Sequence, residues 1–253
     1  MAELFEGTIP ANKHHICWGQ DGLAYYGTFF SAIVIVDVLS FCTTVDMALS
    51  KGCSIIPTNI EDENLLRSIS KERKAILAKK RNEPGITLSP ASMQFVDSNQ
   101  TILLPSLNGS TLIDLASHFE KPVFAGCFRN SQVLSDVLNF KKFFPTLFVA
   151  AGERYPNKML RPSIEDYWGV GSILACLEGE KTIEAEFAIQ SFNTASSDLK
   201  NNLMACESGQ ELIAHGFRQD VELAAEYNFS DKISFLSRKD DCWQLIPRLV
   251  KNL

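Results

Sequence analysis

The stretch Ser31-Ala32-Ile33-Val34-Ile35-Val36-Asp37-Val38-Leu39-Ser40-Phe41-Cys42-Thr43-Thr44 decides the fold. From Ser31 to Val38 it is rich in Ile and Val without polar alternation, the pattern of a strand covered on both faces. Leu39 to Cys42 reads as a loop, and Thr43 or Thr44 can cap a helix that runs through Ser50 before Gly52 stops it. Cys53 to Pro57 then returns as a strand. Strand, loop, helix and strand together make one α/β unit.

The same grammar repeats along the chain. Thr101 to Pro105 is a strand, Ser106 to Ser110 a loop, Thr111 to Phe119 a helix and Pro122 to Ala125 a strand. Asn130 or Ser131 caps a helix through Asn139, after which Thr146 to Ala151 reads as a strand. A long loop from Gly152 to Pro162 leads to a helix from Ser163 to about Leu177. These features predict an α/β fold of three layers, α/β/α, with a largely parallel or mixed sheet. Glu61 to Lys80 is charged and helix-prone, and the irregular Asn82 to Ser98 reads as a lid or a connection between lobes. Beyond Glu180 helical periodicity dominates, which concentrates the expected strands before Gly152.

With 253 residues and 45% hydrophobic content, the chain can bury a sizeable core as one domain over 1–253, or as two closely packed lobes. A net charge of −6 and a pI near 5.3 leave no broad basic face for nucleic acid or an anionic membrane. Small molecules are the expected partners, and a homo-oligomer is compatible with the composition. Seven cysteines without a C-x-x-C pair suit a reducing, cytoplasmic setting. Met1 to Pro10 has two glutamates and no basic region, unlike a secretory signal. Apolar runs such as Ala32 to Val36 are too short to span a bilayer.

In open α/β sheets ligands gather beyond the carboxyl ends of strands. Four loops qualify: Asp37 to Thr44, Ser106 to Ser110, Phe128 to Ser131 and Gly152 to Asp166. Short hydroxyl, amide and glycine residues there leave N–H groups at helix starts for an anion, although the same residues are ordinary caps and turn formers. Thr43, Thr44, Asn108, Gly109, Ser110, Arg129, Asn130 and Arg161 are accordingly the candidate substrate contacts. Asp37 ends an apolar run, where a charge is costly unless paired, bound to a metal or capping the next turn. Glu153 follows another strand, and Glu165 and Asp166 open a helix, where the dipole alone favours acids. Cys42 is either a thiol activated at a helix start or a small buried residue. No G-x-S-x-G, Walker loop or G-x-G-x-x-G occurs.

The segments Ile35-Val36-Asp37-Val38-Leu39, Thr43-Thr44, Asn108-Gly109-Ser110, Ala151-Gly152-Glu153 and Ser163-Ile164-Glu165-Asp166 follow one another in a recognisable order. With Ser208-Gly209-Gln210-Glu211-Leu212 and the stretch from Gly216 to Asp220, they resemble the 2-phosphosulfolactate phosphatase family across most of the chain. The resemblance implies a Mg²⁺-dependent phosphatase acting on a small phosphorylated, sulfonated hydroxyacid in coenzyme M biosynthesis. It implies Asp37, Glu153 and Asp166 as catalytic residues, with Glu165 joining them as metal ligands. Direct attack by water and a covalent route through Asp37 are both compatible with this set.

Departures from the family pattern concern charge. Its Asp-Val-Leu is typically followed by an arginine, where this chain has Ser40, and its Leu-Ala-Gly-Glu-Arg appears as Leu77-Ala78-Lys79-Lys80-Arg81. Its Gly-Asn-Ser-Pro is replaced, with Ser89-Pro90-Ala91-Ser92 nearby. Arg129, Arg154 and Arg161 are the candidates to restore positive charge, or else they are surface ion-pair partners. The altered loops predict weak turnover of 2-phosphosulfolactate and leave a second reading open, a non-catalytic or altered-specificity small-anion-binding protein.

Overall fold

A computed structural model describes residues 12–248, so the Met1 to Pro10 stretch lies outside the described residues. The first strand, β1 (His15–Trp18), leads into α1 (Gly19–Tyr26) and then the expected unit of β2 (Ala32–Val36), α2 (Phe41–Ser50) and β3 (Ser54–Thr58). After α3 (Glu63–Arg73) and the short β4 (Ile76–Leu77) come β5 (Thr101–Pro105), α4 (Gly109–Ser117), β6 (Val123–Gly126), α5 (Ser131–Phe140) and β7 (Thr146–Ala150). The long loop folds on itself as a small hairpin of β8 (Glu153–Arg154) and β9 (Leu160–Arg161). Five helices follow: α6 (Ile164–Leu174), α7 (Ile183–Ser196), α8 (Leu199–Ala205), α9 (Glu207–Ala214) and α10 (Arg218–Ala224).

Strand expectations beyond Gly152 need correction. β10 (Ile233–Lys239) and β11 (Cys242–Arg248) form a hairpin at the centre of a nine-stranded sheet, ordered β1-β7-β2-β6-β10-β11-β3-β5-β4. Lys239 pairs with Cys242, so the turn is only Asp240-Asp241, with φ of 49° and 57°. Positive φ at both central residues is what a two-residue turn needs to match the twist of its strands. The hairpin carries polar residues such as Ser234, Ser237 and Gln244 and joins its strands by a two-residue turn rather than a helix, so it lacks the βα signature that exposes the other strands.

The sheet is mixed and largely parallel, as expected. β1, β7, β2 and β6 run in one sense and β3, β5 and β4 in the other, because the antiparallel pairings of the hairpin reverse the direction between them. Alternate residues of β2 divide the core into layers. Ile33 and Ile35 pack with Leu23, Val45, Leu49, Leu112 and Ile113 from α1, α2 and α4. Val34 and Val36 face Leu134, Leu138, Val170, Ile173 and Phe192 from α5, α6 and α7. Ile56 and Leu103 bury a smaller cluster under Leu66 of α3. Gly171 lets α6 approach α7 closely, since a Cβ there would lie 2.1 Å from the Ala188 carbonyl. No helix among the described residues is long and apolar enough to cross a membrane.

His14, which the sequence left without a role, ties the β1 edge to β7. Its Nδ1 accepts the Thr146 N–H at 3.0 Å and its Nε2 donates to the Glu178 carbonyl at 2.8 Å, so the ring is held neutral. Burial is the main reason its pKa falls from 6.5 to about 4. The unfolded chain therefore takes up a proton that the folded chain refuses, and stability should drop as pH falls from 6.5 towards about 4. Urea midpoints across that window should trace the loss, and His14→Gln should flatten it. An unchanged slope would remove His14 from the acid response.

Candidate active site

Val36 of β2 lies opposite Ala150 of β7 in the parallel register, so Val38 and Gly152 occupy equivalent positions two residues beyond the strands. Asp166, in the first turn of α6, accepts both of their N–H groups, from Val38 at 2.7 Å and from Gly152 at 2.8 Å. One carboxylate thus joins the loops that follow two neighbouring strands. Between them Asp37 accepts the Phe41 N–H at 3.1 Å and a backbone hydrogen bond from Gly109 at the start of α4. Gly109 is required for that approach, because a Cβ would sit 2.3 Å from the Phe41 ring.

Loops from the two halves of the sheet meet at the same place. Asn108, beyond β5, donates to Glu153 Oε1 at 2.7 Å, beyond β7. Glu165 is hydrogen-bonded by Ser208 and Cys206 at the start of α9. Asp37, Glu153, Glu165 and Asp166 line one cleft of about 980 Å³, together with Ser40, Asn108, Leu88 and Leu212. The same cleft is also lined by Arg67, Lys71, Lys79, Lys80 and Arg81, and by Glu61, Glu63 and Glu83.

Charge is concentrated on the acidic wall. Burial, and then the charges of Glu153 and Glu165, push the Asp37 carboxyl up to about 7. Asp166 is raised well above its ordinary value by burial and by Glu165 and Asp37, and burial raises Glu165 as well. Among the described residues no ion pair links any of these four to a lysine or arginine, since Lys80 pairs with Glu63, Arg81 with Asp220, and Arg161 with Glu207 and Glu211. Among the described residues the buried Ser40 Oγ also has no hydrogen-bond partner, although Ser40 lines the cleft. Clustered buried acids and an unsatisfied hydroxyl, in a cleft also lined by Arg81, suit a cation and an anion bound side by side.

The family model for 2-phosphosulpholactate phosphatase matches residues 24–239. A protein of Carboxydothermus hydrogenoformans described as a probable 2-phosphosulfolactate phosphatase is 30% identical over 210 residues, covering 80% of this chain and 84% of that protein. The chain belongs to the 2-phosphosulfolactate phosphatase family.

Within this family member the candidate substrate contacts divide. Asn108 and the Gly109 N–H reach the acidic wall. Thr43 and Thr44 do not line the cleft: α2 begins at Phe41, and their hydroxyls donate to the carbonyls of Val38 and Leu88. Ser110 donates to Leu104, and Asn130 bonds Cys127 and Ala125, so both hold local backbone. Arg129 is buried against Asp46 and Glu226, and Arg161 against Glu207 and Glu211, while Arg154 reaches the Lys158 carbonyl. Their charges or donors are engaged outside the cleft lining. Cys42 is a buried thiol bonded to Ile35, and burial and Asp37 raise its pKa, so it is no thiolate.

Arg81 is the cation that sequence reasoning passed over, hidden in a run of three basic residues after a charged helix. The resemblance to the family's Leu-Ala-Gly-Glu-Arg segment was its signal. As for a metal, no three His, Cys, Asp or Glu side chains among the described residues converge as a ready cage. Mg²⁺ does not need one, because it takes one or two carboxylates and keeps several waters. The oxygen-only, anionic donor set of Asp37, Glu153 and Glu165 fits such an ion.

The two central aspartates should respond oppositely to amide substitution. At Asp37 the folded state favours the protonated carboxyl, so stability declines as pH rises from 3.8 to about 7. Asp37→Asn removes that cost, and above about pH 7 its metal-free form should melt higher than the unsubstituted protein. Asp166→Asn turns an amide NH₂ towards a backbone N–H and should lose about 1–3 kcal/mol in urea unfolding. The reverse order of stabilities would contradict these assignments.

Proposed function

We propose that this protein is a Mg²⁺-dependent phosphatase for a small phosphate monoester, converting 2-phosphosulfolactate to 3-sulfolactate and phosphate. Coenzyme M biosynthesis in the cytoplasm is the setting that family membership supports. The observation that carries the reading is the set of four carboxylates that lines the same cleft as Arg81. Asp37, Glu153 and Glu165 are the residues that would hold Mg²⁺, with Asp166 fixing the loops on which Asp37 and Glu153 stand. Mg²⁺, when bound, supplies a Lewis acid for the phosphoryl oxygen and lowers the pKa of a bound water.

The protein's own groups do the remaining work. Arg81 presents charge-assisted N–H donors to an anionic oxygen of the substrate. The unpartnered Ser40 hydroxyl donates a further hydrogen bond. Glu153 engages Oε1 with Asn108 and the Arg154 N–H, which leaves Oε2 as the oxygen that would hold Mg²⁺. Leu39, Leu88 and Leu212 line the same cleft and limit competing solvent.

Phosphate release from 2-phosphosulfolactate and para-nitrophenyl phosphate tests the reading. Turnover should vanish with a chelator and return with Mg²⁺. Thermal stabilisation by phosphate without release from either ester would make the protein an anion binder on the same scaffold.

A further inference from the structure

The Arg81 guanidinium does not reach the cleft as a free surface charge. One nitrogen, Nη1, donates to Asp220, and Nη2 donates to the Leu88 carbonyl at 3.2 Å. The group lies over the Phe217 ring, 5.0 Å from its centroid. Asp220 is itself 1% exposed and accepts two more hydrogen bonds, from the Ser89 hydroxyl and from the Ala91 N–H at 3.1 Å. A carboxylate this buried is costly unless its oxygens are fully engaged, and here three donors engage it. The bonds leave three of the five guanidinium N–H groups without a partner among the described residues, on a side chain that lines the cleft with Asp37.

We propose that Asp220 is a positioning residue for the substrate's anion: it fixes the plane of Arg81 so that the remaining N–H groups face the bound oxyanion. This rests on the phosphatase reading above for the identity of the ligand, but not for the Arg81-Asp220 linkage itself. A planar guanidinium delivers two parallel hydrogen bonds only in the right orientation, and an unanchored arginine must lose rotamer freedom on binding. The segment around Ser89 and Ala91 is held to α10 by the same carboxylate, which makes the wall rigid where the ligand sits.

Steady-state kinetics on a turned-over phosphate ester, with circular dichroism of each variant, test the proposal. Asp220→Asn should raise KM roughly tenfold with little change in kcat, as expected for a weakened charge-assisted contact. Arg81→Ala should raise it at least as far, and the double variant should be no worse than Arg81→Ala alone. Multiplying effects, or an unchanged KM in Asp220→Asn, would overturn the proposal and leave Asp220 a purely structural anchor. Should Asp220→Asn not fold, Ser89→Ala removes one of its donors; a KM several-fold higher supports the proposal and an unchanged KM overturns it. If the unsubstituted protein turns over no ester, the function has failed separately. Calorimetric titration with inorganic phosphate then decides the linkage, through the same comparison of single and double variants.

Discussion

The cleft depends on the two N–H···O bonds that Asp166 accepts from Val38 and Gly152. β2 and β7 are parallel neighbours, so their carboxyl ends lie side by side, but nothing in strand pairing fixes the loops beyond them. A single carboxylate from α6 does so. Asp37 and Glu153 stand on these loops, and the hydrogen bond from Asn108 then brings in the loop beyond β5 from the other half of the sheet. The central hairpin joins the two parallel sets of strands, which run in opposite senses.

Holding four acids together with no ion pair to any of them among the described residues costs stability, and the raised pKa values of Asp37, Glu165 and Asp166 express that cost. Fold-stabilising charges elsewhere are arranged differently. Arg129 is buried with Asp46, yet burial still raises the Asp46 pKa, so even a close guanidinium does not fully offset desolvation there. At the cleft Arg161 lowers the Glu165 pKa in the same way, and burial again outweighs it. Such an arrangement suits a ligand that brings positive charge, as functional sites often trade stability for binding.

Much of this was legible in the sequence, and the exceptions have physical reasons. The continuous apolar run of β2 and its break at Asp37 located both the sheet and the first acid. Thr43 and Thr44 were credible caps, but α2 starts two residues earlier than Thr43 and turns their hydroxyls to carbonyls. Composition could identify Arg129 and Arg161 as available cations only if their partners were visible, and those partners lie 83 and 50 residues away in Asp46 and Glu211. Arg81 presents the converse case: its anchor, Asp220, is 139 residues distant, and local sequence reads it as one more charge on a solvated segment. The hairpin of β10 and β11 was missed: its turn, Asp240-Asp241, is a weaker signal than Asn-Gly.

The central claim is that one cleft holds a divalent cation on its acidic wall and an oxyanion on Arg81. A crystal structure grown with Mn²⁺ and inorganic phosphate, measured at a wavelength where Mn²⁺ scatters anomalously, tests this directly. The account predicts an anomalous peak within ligand distance of Asp37 and phosphate density against Arg81 in the same cleft. A fully occupied Mn²⁺ site remote from Asp37, with phosphate bound elsewhere, would contradict it.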